Sequence, residues 1–247
     1  MRESHMSNKS YNEVGFTHEY RKETEQFYRP FFHTEEEMKR FFWKVFQNDT
    51  IDKTPRLMMN QVCRFVSLAN DIETIRPGKD PLRILFLRIC LESLCSLSQL
   101  NKSDFFKEFE KCMSIEGTNY ISSHFHLTDW APETEELPNP SCLLSYPGYE
   151  EVPISLNDFL LLMKKIRDAA VHEGDYWTMQ VFAPEDEFVT LTSFTTDGHL
   201  FSDLKINTEK LATYFFSTTL NYQKFIYFFT SACIGFISNY VDLHFKK

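Results

Sequence analysis

From Thr54 to Leu97 apolar residues return at intervals of three and four, the spacing of helices that bury one side. Met58, Val62, Phe65, Val66, Ala69 and Ile72 make the first stripe, opened by Thr54-Pro55 and closed by Arg76-Pro77-Gly78. Asp80-Pro81 opens the next helix. There Leu82, Leu85, Phe86, Ile89, Cys90, Leu94 and Leu97 cover one broad side, and Ile84, Leu87 and Leu91 cover much of the rest. A helix apolar nearly all round is expected at the centre of the fold. Upstream, Thr34 followed by Glu35, Glu36 and Glu37 marks the start of an aromatic helix reaching Phe46. Downstream, Asn101 to Met113 reads as a short amphipathic helix.

Periodicity then lapses. Between 114 and 153 acidic residues crowd the chain and Pro132, Pro138, Pro140 and Pro147 punctuate it, which reads as a long insertion or ordered loop. Asn157 is expected to cap a further helix whose Leu160, Met163, Ile166, Ala170 and Val171 face inward. After Gly174 the period changes to two. Strands are expected over 176–182, 188–194 and 199–206, joined by turns at 183–186 and 196–198, giving a small antiparallel hairpin or sheet. Asn207 or Thr208 then caps a helical C-terminal part, read as two helices meeting near Asn221.

Phe225 to Val241 approaches the apolarity of a membrane span. Thr230, Ser231, Gly235, Ser238 and Asn239 interrupt it, and it falls short of about 18 unbroken apolar residues, so a buried helix is expected. Met1 to Met6 read as an expression scar with a second start at Met6, followed from Ser7 to Arg29 by a polar stretch expected to be a loosely tethered arm or a short helix. The expected organisation is an arm over 1–33 and one mainly α domain over 34–247, with an insertion at 114–153 and a β element at 176–206.

Composition narrows the class. With 247 residues, 43% hydrophobic, 25% charged and only seven glycines, the chain reads as globular and cytoplasmic, without a signal peptide. Its 25 phenylalanines predict a core of packed rings. A net charge of −9 argues against broad nucleic-acid binding, yet leaves room for a local basic cleft. Six scattered cysteines without CxxC spacing read as reduced core thiols. Phosphate-cradling glycine loops and the GxSxG and HExxH patterns are absent from the sequence, and no cofactor is expected. His124, His126 and Asp129 are a weak metal candidate beside the plainer reading of surface histidines.

The chemistry concentrates at Arg167-Asp168-Ala169-Ala170-Val171-His172. Asp168 and His172 lie four apart on one helix face, so the carboxylate can fix the imidazole tautomer. Arg167 can hold a phosphate through two parallel hydrogen bonds. Arg and His near a helix C-terminus also simply complement its dipole. Lys164 and Lys165 join Arg167 in a basic cluster and, with Arg88, are candidate substrate contacts, although exposed lysines are commonly just solvated. Glu92 follows Arg88 by four on the apolar helix, where charges need partners or a cleft. Either Glu92 or Arg88 approaches Arg167, or the two form an ordinary pair at the bundle edge. Tyr176 and Trp177 either stack a base or begin the first strand.

This Arg-Asp-x-x-x-His arrangement, late on an apolar helix and preceded by helical segments, resembles the motif of the HEPN family (higher eukaryotes and prokaryotes nucleotide-binding domains). The resemblance extends from Thr54 to the C-terminus, with the proline-rich stretch and the strands as departures from a plain bundle. It implies an HEPN-like helical bundle and metal-independent RNA cleavage of toxin or defence type. His172 is then the acid/base on the 2′-hydroxyl and the leaving oxygen, Arg167 the stabiliser of the charged phosphorus, and Asp168 the orienter of His172. It also implies a homodimer with two motifs facing one cleft, and an antitoxin or regulatory partner. The alternative is a non-catalytic HEPN-like scaffold that binds a partner.

Overall fold

The structure is a computed structural model of the single chain and describes residues 18–47, 49–132, 151–172, 179–184, 189–197 and 211–245. Among these residues there are eight α-helices and a four-stranded sheet. Helix α1 spans His18–Tyr28 and runs into a 3-10 turn at Arg29–Phe31. Helices α2 (Glu35–Phe46), α3 (Thr54–Ile75), α4 (Asp80–Ser98), α5 (Lys102–Cys112) and α6 (Ile115–His124) follow. Strands β1 (Phe125–Pro132) and β2 (Val152–Pro153) precede α7 (Leu156–His172), and β3 (Thr190–Asp197), β4 (Leu211–Thr218) and α8 (Tyr222–Phe245) complete the fold.

The helical signals of the first hundred residues translate directly into this bundle. Thr34 accepts the Glu37 amide at 3.2 Å and starts α2. Gly78, with φ of 69°, supplies the left-handed turn that folds α4 back against α3. Helix α4 is central, as its all-round apolarity predicts: Ile84, Leu87, Cys90, Leu91 and Leu94 are fully buried between α3 and α7. Asn101 caps α5 by accepting the Asp104 amide at 3.0 Å.

Of the chain before Glu35 the structure describes residues 18–34, which form a short helix and a 3-10 turn with one side in the core. Tyr28 is fully buried, and its hydroxyl donates to the Met59 carbonyl at 2.7 Å. The ring anchors α1 to α3 where the polar composition of the segment offers no periodic stripe. Of residues 114–153 the structure describes 114–132 and 151–153, and these hold a helix and two strands. Ser114 caps α6 by accepting the Gly117 amide at 3.0 Å, and β1 follows at once. Helix α6 buries only Gly117 and Ile121, too few positions to set up a period. Gly117 permits its close approach to α8, since a Cβ there would lie 3.0 Å from Phe228.

Sheet order is β2-β1-β4-β3, all neighbours antiparallel. Residues 211–218, expected to be helical, form the central strand β4. Thr213 to Thr218 are buried without interruption, because β4 is flanked on both edges and covered by the bundle. A doubly covered strand shows no alternation, so its apolar run passes for helix. Strand β3 starts two residues later and ends three residues later than expected, and the proposed strand at 199–206 lies outside the described residues. Residues 179–184 are not a strand: Met179, Val181 and Phe182 are buried, with one isolated bridge between Ala183 and Asn221.

A ring lattice joins sheet to helices. Phe125 on β1 meets Phe159 on α7 and Phe216 on β4, each at 5.3 Å, and Phe159 meets Phe225 on α8 at 5.4 Å. Helix α8 is single and is capped by Asn221, which accepts the Gln223 amide at 2.9 Å. It is the one described helix long and apolar enough to cross a membrane. Its inner face, including Phe229, Cys233 and Ile237, is nonetheless buried against α2, α3, α5 and α6.

Candidate functional site

Helix α7 carries the Arg-Asp-x-x-x-His segment. Ser155 starts it, not Asn157: its hydroxyl accepts the Asp158 amide at 3.1 Å and donates to the Asp158 carboxylate at 2.8 Å, a reciprocal cap. Phe159, Leu160, Leu162, Met163 and Ile166 then face the core, whereas Val171, expected inward, is exposed. Arg167 follows Ile166 at the margin of this apolar face and reaches toward α4.

There it meets Glu92. The Arg167 Nη2 donates to Glu92 Oε1, and Arg88 Nε donates to the same oxygen at 3.3 Å. Arg88 also donates to the Leu160 carbonyl at 3.3 Å and covers the Phe106 ring at 4.7 Å. With its side chain only 5% exposed, Arg88 lies deep in the wall beneath Arg167. Burial also pulls its pKa below the usual guanidinium value, against the pull of Glu92.

Asp168 turns to Arg167. Its Oδ1 receives Arg167 Nη1 at 2.8 Å, and among the described residues no hydrogen bond or ion pair links it to His172. His172 is the last residue of α7 and is exposed. It lies five positions after Arg167, about 140° around the helix and about 7.5 Å along it. The two motif ends therefore leave α7 in different directions. Lys164 and Lys165 are half-buried on the preceding turn.

Arg167, Arg88 and Glu92 line a cleft of about 430 Å³ with Lys102, Asn101 and Phe106. Its lining carries three cations and one carboxylate, a local positive excess in an acidic chain. Lys102 escaped the sequence reading because it stands at the start of a separate helix; the Asn101 cap was the available signal. A second cleft, about 450 Å³, lies between α1 and α2 beside Arg29, Lys39 and the 68%-exposed Trp43, and contains none of the motif residues.

The buried charge network around Asp80 also went unread, because Asp80-Pro81 looked like an ordinary helix start. Arg83 donates to Asp80 at 3.1 Å, pairs with Glu73, and sits 4.3 Å over the Tyr222 ring. In the former metal candidate, His124 Nδ1 lies 2.9 Å from the Tyr120 carbonyl and His126 lies 4.0 Å from Glu151. Among the described residues no group of three or more His, Cys, Asp and Glu side chains is arranged to hold a metal ion. Cys63, Cys90, Cys95, Cys112 and Cys233 are free thiols.

Comparison of this chain with family models, with curated proteins and with solved structures returned no match.

Proposed function

We propose that the protein is a metal-independent endoribonuclease of HEPN type, a cytoplasmic toxin or defence protein acting as a homodimer. The observation that carries this is the cationic cleft: Arg167 stands in its wall with Lys102 and Arg88, and the same helix ends in an exposed His172. Arg167 engages the scissile phosphate and offsets the charge that grows on phosphorus. His172 takes the proton of the 2′-hydroxyl as that oxygen attacks phosphorus, and the 5′-oxygen leaves with a proton from the second motif of the dimer. The products are a 2′,3′-cyclic phosphate and a free 5′-hydroxyl. Asp168 serves Arg167, holding its guanidinium, and does not orient the imidazole.

One observation favours the second reading, a non-catalytic HEPN-like scaffold: both terminal nitrogens of Arg167 are engaged by carboxylates of the same chain. The two readings separate on Arg167→Ala. In the nuclease, RNA cleavage in chelator falls by about 10²-fold or more. In the scaffold there is no cleavage to lose.

A further inference from the structure

We propose that the cleft between α4, α5 and α7 is a phosphoryl-anion site whose resting occupant is the chain's own Glu92 carboxylate. This deepens the function proposed above and rests on Arg167 being the phosphate contact. A guanidinium offers five N–H donors. In Arg167 one terminal nitrogen meets Glu92, the other meets Asp168 at 2.8 Å, and Nε is buried without a hydrogen-bond partner. Glu92 Oε1 meanwhile receives both Arg167 and Arg88. One oxygen between two guanidinium groups is the arrangement of an oxyanion in a clamp.

Glu92 is also the member best able to leave. Its side chain is 37% exposed, against 20% for Arg167 and 5% for Arg88, which is additionally tied to the Leu160 carbonyl. When Glu92 swings outward, the lining keeps Arg88, Lys102 and Arg167 and loses its only carboxylate. A phosphoryl group brings the oxygens needed to replace Glu92 and to meet Lys102 as well. Leu91 and Phe106 give the same lining an apolar part. Glu92 therefore competes with the ligand and keeps the resting site weak.

Calorimetric titration of the full chain tests this, with inorganic phosphate as one probe and a short all-2′-deoxy oligonucleotide, which cannot be cleaved, as the other. Glu92→Gln removes the charge and keeps an acceptor for Arg88. It is expected to bind phosphate at least about tenfold more tightly than wild type. Adding Arg167→Gln abolishes that gain. A gain with both probes assigns the site to a polynucleotide phosphodiester; a gain with phosphate alone assigns it to a free phosphoryl ligand. Equal affinity of wild type and Glu92→Gln, or a gain that survives Arg167→Gln, overturns the proposal. Should Glu92→Gln melt early, Lys102→Ala decides instead: phosphate binding weakens about threefold or more, and an unchanged affinity overturns the proposal. Cleavage is not read at any step, so a failed nuclease reading and a failed anion site give different results.

Discussion

Asp80, at the start of α4, accepts the backbone amide of Phe182, far along the chain, at 2.7 Å, and the same oxygen takes the Val181 amide at 2.8 Å. Its other oxygen receives Arg83 at 3.1 Å. One buried carboxylate thus closes the segment that follows the motif helix onto the central helix, and satisfies two amides that no strand pairs. Asp80→Asn keeps one acceptor oxygen for three donors, leaves a buried N–H without an acceptor, and is expected to cost about 2 kcal/mol. Denaturant unfolding measures the loss; a change below about 0.5 kcal/mol contradicts the role assigned to Asp80.

The same group sets a pH dependence. Burial pushes the Asp80 carboxyl above the ordinary carboxylate range, with the Phe182 amide, Arg83 and the Val181 amide opposing it. Between the unfolded value and this raised folded value, the native state binds more protons than the unfolded chain. Stability therefore falls as pH rises through that window and levels off above it. Urea titrations across the acidic range check this: the gap between wild type and Asp80→Asn narrows as pH rises through the window.

Tyr28 provides a test of the N-terminal helix. Tyr28→Phe keeps the ring and removes only the hydroxyl bond to Met59, at an expected cost of about 1 kcal/mol. Tyr28→Ala empties a fully buried site beside Phe41 and is expected to cost about 3–5 kcal/mol. Melting curves of both variants distinguish a core element from a loose arm, which predicts no change for either.

Phe216 plays the equivalent part in the sheet. It is fully buried on β4 and touches Phe125. Phe216→Ala is expected to cost about 3–5 kcal/mol in chemical denaturation. An exposed face of a terminal helix at this position predicts almost none.

The residues that were legible in the sequence share a property: their signal is local. Thr34, Asn101 and the stripe from Met58 to Ile72 act within one helix, and caps and periods record that directly. Glu92 approached Arg167 because a charged pair on an apolar helix must find a partner, and α7 supplied one. What stayed hidden depends on distant chain. Strand β4 is a strand because β1 and β3 flank it, and its six consecutive buried side chains from Thr213 to Thr218 erase the alternation that marks strands. Tyr28 and Asp80 are ordinary residues in their own segments and become anchors only against Met59 and Phe182. Within the motif, spacing placed Asp168 on the face of His172, while the nearer Arg167 took its carboxylate.

The most direct test of the nuclease is incubation of the purified full chain with a mixed RNA pool in excess chelator, beside His172→Ala at equal concentration. The account predicts cleavage products ending in 2′,3′-cyclic phosphate from wild type and a rate at least about 10²-fold lower from the variant, with unchanged melting curves. Equal rates from the two proteins, or no cleavage by either, contradict it.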